Sequence, residues 1–220
     1  MPRATLDPAE TLGTKGGRTR QAIVDAAARL FAERGYDGTG IRDIEAAAKV
    51  KRGVVTYHFG NKKAIWIAAF TFVFGSYIED LRSRADLLRS LDPVTRRRVL
   101  VEQFIRTSAR SPLMNQLMIQ ENFLRTWRTE WIIKHVLRPL RELGMDIAGD
   151  DPALAALESD PHLRYALLGA CNMPFSLPCE VKALFGENVA EEAFVQKHID
   201  TVTTLFEEWI TQTKKRKGHS

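Results

Sequence analysis

The chain has 220 residues, 45% of them apolar, and a formal net charge of +5, which fits one large domain or two small ones in a globular protein. It has no run of about eighteen uninterrupted apolar residues, and its opening MPRATLDPAETLGTKGGR has no apolar stretch, so neither a membrane span nor a secretory leader is expected and the expected location is cytoplasmic. Cys171 and Cys179 read as reduced small hydrophobes, and no Cys/His cluster has zinc spacing, so no metal or cofactor is expected.

Residues 1–16, rich in Pro, Gly and Thr without a period, are expected to form a flexible arm. Ile23, Ala26, Ala27, Leu30 and Phe31 then fall on one helical face, which Gly35 is expected to end after Arg34. A short segment Ile41–Lys49 puts Ile41, Ile44 and Ala48 on one side. A second, Arg52–Phe59, does the same with Val55 and Phe59. Asn61 reads as a cap before a longer helix with Ile65, Ala68, Ala69, Phe72 and Val73 in register. The Arg96-Arg97-Arg98 run reads as a solvated helix face.

Asp92-Pro93, Ser111-Pro112, Asp151-Pro152 and Asp160-Pro161 each pair a capping side chain with proline at the first helical position. Leu163, Ala166, Leu167, Ala170, Cys171 and Phe175 form one further stripe; Phe194, His198, Val202, Leu205 and Trp209 form the last. Strand-like alternation is lacking, so the expected class is all-α, with about nine helices.

The charge is unevenly divided. Residues 1–66 hold twelve Lys and Arg against seven Asp and Glu, so the whole +5 lies in the first third. Without the basic tail Lys214-Lys215-Arg216-Lys217, the rest is mildly acidic. A basic end on an acidic body suggests a polyanion binder joined to a second module. Three short helices ending near residue 60 suit a helix-turn-helix, whose last helix enters the major groove. Such a helix needs a small buried face and a hydrogen-bonding outer face. KRGVVTYHF (residues 51–59) supplies Val55 and Phe59 inward, with Lys51, Arg52, Thr56, Tyr57 and His58 outward. Arginine suits a bidentate guanine contact and threonine a thymine methyl. Gly53 is expected to let the backbone come close to DNA. Tyr57 and His58 are left between base contact, phosphate contact and packing. Arg18, Arg20, Lys62 and Lys63 suit phosphates.

The run RTRQAIVDAAARLFAERGYDGTGIRDIEAAAKVKRGVVTYHFGNKKAI resembles the DNA-binding domain of TetR-family regulators, through Ala27, Leu30-Phe31, Gly35-Tyr36, Thr39, Asp43-Ile44, Ala48, Val50, Gly53, Phe59 and Lys62. Lys49 stands where that family has a turn glycine, Gly40 where it has a capping Ser or Thr, and Thr56 where it has tyrosine. The resemblance implies an all-α homodimer whose C-terminal domain binds a small molecule. It also adds Thr39, Arg42 and Val54 to the expected DNA contacts. The implied division is an arm (1–16), a helix-turn-helix domain (17–63), a ligand-binding and dimerisation domain (64–213) and a basic tail (214–220).

A mostly apolar organic ligand is expected among Phe104, Met114, Met118, Phe123, Trp127, Trp131, Tyr165, Leu168 and Phe175, with Glu121, Asn172 and Tyr165 as its polar contacts. For each aromatic or Met the competing reading is plain core. Glu121 has a second reading as the ion-pair partner of Arg125 or Arg128. Asn172 has one as partner to backbone freed by Pro174 or Pro178. The resulting expectation is a dimeric repressor on a palindromic duplex operator, released by ligand and needing no membrane. A non-specific DNA binder without ligand control and an all-helical enzyme are the alternatives. The chain carries no nucleophile elbow, phosphate loop or metal pair to favour an enzyme.

Overall fold

The computed structural model describes residues 14–122 and 125–217. The expected arm up to residue 13, Phe123 and the last three residues lie outside them. Among the described residues the chain is helical throughout, with thirteen α-helices, one π-helical turn and no strand. They divide into two compact units, one of residues 14–76 with 116–122, the other of 77–115 with 125–217.

In the first unit, α1 (Lys15–Arg34) starts from Thr14, whose hydroxyl accepts from the Gly17 amide, so Lys15 and Gly16 belong to the helix rather than to the arm. It ends at Gly35 as expected. Then come α2 (Ile41–Ala47), α3 (Val54–Phe59) and α4 (Lys62–Ser83). Asn61 caps α4 by accepting from the Ala64 amide. Ile23, Ala27, Phe31, Ile44, Val55 and Ile65 are fully buried, each worth roughly 1–3 kcal/mol of apolar burial. The core face of α4 is Ile65, Trp66, Ala69, Phe70 and Phe74; the expected Phe72 is exposed and Val73 only half-buried. This helix has the length and apolarity of a membrane span, against the sequence expectation. Its buried face lies inside protein, as in a core helix.

The second unit takes the rest of α4, then α5 (Ala85–Ser90), α6 (Pro93–Arg110), α8 (Trp127–Ile132), α9 (Arg138–Ala148), α10 (Pro152–Ser159), α11 (Pro161–Ser176), α12 (Pro178–Phe185) and α13 (Glu192–Lys217). Helix α7 (Pro112–Asn122) begins in this unit and ends in the first. Asp92, Asp151 and Asp160 each accept from a first-turn amide, as their Asp-Pro pairs imply. The π turn Ile133–Leu137 precedes Pro139, which has no N–H for the His135 carbonyl, so the ladder skips a residue there. Helix α13 presents Val195, Ile199, Val202, Phe206 and Ile210 to the core. The expected Leu205 faces out.

The arginine run is not a solvated face. Arg96 and Arg97 are buried, and only Arg98 is exposed. Arg96 donates to the carbonyls of Ala148 (2.7 Å), Arg89 and Leu91 (both 2.9 Å), filling acceptors that the ends of α9 and α5 leave open. Arg97 grips both oxygens of Glu207 on α13 at 2.7 Å and donates to Asp151 at 2.8 Å. Asp151 is 1% exposed, and its other oxygen caps α10. A buried carboxylate is tolerable only when paired this way.

Candidate functional site

The turn between α2 and α3 is built from two left-handed residues, Lys49 at φ 54° and Gly53 at φ 86°. Lys49 therefore carries the strain expected of a side chain at a glycine position. Gly53 is required by its backbone angle; a Cβ there would meet nothing within 4 Å. Helix α3 has no side-chain cap of its own. The buried Glu45 of α2 supplies one from across the turn, accepting from the Gly53 amide at 2.6 Å. Asp43 accepts from the Gly40 amide at 2.8 Å, one half of a capping box, while with glycine at the cap no side chain there accepts from the first-turn amides.

Helix α3 buries Val55 and leaves Lys51, Arg52, Gly53, Thr56 and Tyr57 exposed, with Val54 and His58 half-buried. Tyr57 is 85% exposed, its ring edge-on to His58. Arg18, Arg20 and Arg42 are exposed in the same unit. The guanidinium of Arg20 lies over Phe59 at 5.0 Å, and the Lys62 ammonium lies over Tyr36 at 4.3 Å, contacts that hold each cation by its ring. Thr39 is the correction in this set: it is fully buried, and its hydroxyl faces the carbonyls of Gly35 (2.8 Å) and Leu30 (3.1 Å). It ties α1 to the loop and has no surface to offer DNA.

The second unit holds a half-open cavity of about 180 Å³. Its apolar wall includes Leu100, Phe104, Leu157, Leu168 and Phe206, and its polar groups come from Tyr77, Arg97, Glu158 and Arg164. Arg164 and Glu158 form a close ion pair. Burial pushes the Glu158 carboxyl above its ordinary value, with Arg164 and then Arg141 opposing it. Burial likewise raises the Tyr77 phenol well above its usual range and the neighbouring Cys171 thiol to about 12.

Of the expected ligand residues only Phe104 and Leu168 line this cavity. Met114 is packed away in the second unit. Met118 and Glu121 belong to the first unit, where the Trp66 indole donates to Glu121 at 3.0 Å. Neither the ligand role nor an Arg125 pairing fits that carboxylate. Trp131 stacks on His135 at 4.9 Å, Trp127 is half-buried beside Arg128, and Tyr165 is 66% exposed. Phe175 is core, edge-on to Phe194 and His198. Asn172 does not serve the backbone freed by Pro174. The Ala170 carbonyl, which Pro174 cannot reach as a donor, is met by His198 Nε2 at 2.9 Å.

Sequence reasoning missed Tyr77, Glu158 and Arg164. The sequence signal available was three polar side chains on otherwise apolar helical faces, which periodicity counts as interruptions.

Residues 23–69 match the profile of bacterial regulatory proteins of the tetR family. The HTH-type transcriptional repressor AcnR of Corynebacterium efficiens is 41% identical over 56 residues, covering 26% of this chain and 30% of AcnR. The chain spans less than half the length of the curated relatives it matches. A TetR-like transcriptional regulator from Rhodococcus sp. RHA1 has a similar fold, with a TM-score of 0.63 at 17% identity over 88% of this chain and 96% of that one. The transcriptional regulator FadR of Bacillus subtilis, solved in complex with stearoyl-CoA, gives 0.59 at 17% identity over 83% and 97%. These two likenesses are of fold.

Proposed function

The chain belongs to the TetR family through its N-terminal domain, and on that premise we propose that it is a sequence-specific DNA-binding regulator, a repressor freed from its operator by a small ligand. The observation that carries this reading is the exposed row of Lys51 and Arg52 in the turn and Thr56 and Tyr57 on the short helix α3, held by Glu45. A reading helix needs polar side chains free to reach base edges and a rigid seat behind them. Two subunits would each place α3 in a major groove, at half-sites about one helical turn apart. Arg18, Arg20, Arg42 and Lys62 would hold phosphates. The cavity in the second unit supports ligand control over a plain DNA-binding role. A guest shifts the balance between DNA-competent and incompetent states only by its differential affinity for them, and about 1–3 kcal/mol suffices.

Selection from a random duplex library tests the reading. A palindrome should be enriched, and its binding should weaken steeply with salt. Arg52→Ala should cost about 1–3 kcal/mol on that palindrome and relax one position of it. A library that enriches no motif defeats sequence-specific recognition.

A further inference from the structure

The cavity of the second unit restricts its guest in size, charge and one polar contact. Its volume of about 180 Å³ is close to the roughly 150 Å³ of an apolar protein cavity known to take benzene. A single ring with a small substituent matches that volume, which a long acyl chain exceeds. Both arginines in the wall are already matched. Arg97 is held by Glu207 and Asp151, and Arg164 by Glu158. A carboxylate guest would add a negative charge beside arginines whose charge is already balanced, leaving one acid largely out of water without a counter-charge, a costly arrangement.

One wall group lacks a protein partner. Tyr77 is fixed by its ring, 6.3 Å from that of Phe104, yet its hydroxyl makes no hydrogen bond among the described residues. The phenol stands in the field of Cys171, Arg164, Asp80 and Glu158. A phenol O–H that opens onto an apolar wall without a protein partner favours a guest that brings an acceptor.

We propose that this cavity binds a compact, neutral, single-ring molecule carrying one carbonyl or ether oxygen, which accepts a hydrogen bond from the Tyr77 hydroxyl. The proposal rests on the ligand-controlled reading above and narrows its ligand class. It also separates this chain from its fold neighbour FadR, whose structure holds stearoyl-CoA.

The test uses the full chain and four probes: acetophenone, ethylbenzene of the same shape without the oxygen, benzoate with a charge, and stearoyl-CoA. Affinities are read by calorimetry for wild type and Tyr77→Phe, which keeps the ring contact with Phe104. The expected result is that acetophenone binds and that Tyr77→Phe weakens it about tenfold while changing ethylbenzene by less than about twofold. Benzoate should bind more weakly than acetophenone, and stearoyl-CoA should not displace it. Equal effects of Tyr77→Phe on the two neutral probes, tighter binding of benzoate, displacement by stearoyl-CoA, or no acetophenone binding each overturns the assignment. If Tyr77→Phe loses its helical signal, Leu168→Trp decides instead. It fills the cavity without removing the phenol and must abolish acetophenone binding. Anisotropy of the selected operator duplex separates the two readings. Acetophenone that binds as expected but leaves operator affinity unchanged defeats ligand-controlled release and spares the site.

Discussion

Lys49 shows how a single residue can be legible from sequence. A lysine between two short helices, where the family resemblance implies glycine, points to a left-handed backbone, and the residue indeed sits at φ 54°. Such a conformation costs an L-residue about 1–2 kcal/mol, part of which glycine returns through its looser unfolded chain. Lys49→Gly should therefore stabilise the protein by about 0.5–1 kcal/mol in urea denaturation. An unchanged or lower midpoint would show that the lysine side chain compensates locally. Other residues were not legible. Arg96 and Arg97 read as solvated because three consecutive arginines offer no hint of the carbonyls and carboxylates that meet two of them. The partners Ala148, Asp151 and Glu207 lie about 50 to 110 positions further along the chain, and the nearby Arg89 and Leu91 carbonyls carry no sequence signal. Thr39 failed for the opposite reason: the family pattern marks it, but its hydroxyl is spent inside the domain.

At the scale of elements, caps were read well because they are local. Asp92, Asp151 and Asp160 announce their helices within three residues. The phase of long apolar helices was read less well. Helix α4 has large apolar side chains on several faces, so periodicity chose Phe72 and Val73 where packing uses Trp66, Phe70 and Phe74. Helix α11 carries a testable dependence on α13. Pro174 removes the donor for the Ala170 carbonyl, and His198 Nε2 replaces it at 2.9 Å while stacking on Phe194. His198→Ala should cost about 1–2 kcal/mol. In a Pro174→Ala background, where the backbone N–H returns, the same substitution should cost distinctly less. A double-mutant cycle in thermal unfolding measures the difference, and full additivity would contradict the link.

For the whole molecule, the exposed apolar side chains of the second unit bear on assembly. Tyr165 and Met173 on α11, Leu184 and Phe185 on α12, and Leu205 on α13 are 51–72% exposed. One continuous patch of such side chains would be uncommon on a monomer. The family resemblance implies a homodimer, and we propose that helices α11 and α13 form its two-fold interface. Sedimentation at micromolar concentration should give twice the 24.9 kDa chain mass, and the unfolding midpoint should rise with protein concentration. A stable monomer with a concentration-independent midpoint would refute it. The all-α class was legible throughout, because 3.6-residue periodicity survives errors of phase. The cavity was not, because its volume is a property of packing between helices rather than of any one helix.

The pairing of Trp66 with Glu121 has an optical consequence. Of the four tryptophans, Trp66 alone is fully buried, and its indole N–H is held by a carboxylate that the returning segment 116–122 brings into the first unit. Trp127, Trp131 and Trp209 are half-buried in the second. With those three changed to Phe, the remaining indole should emit on the short-wavelength side of free tryptophan and resist quenching by iodide. Its red shift during denaturation would then time the departure of segment 116–122 from the DNA-binding unit. Emission already at the wavelength of free tryptophan in native buffer would mean that the segment is not seated there in solution.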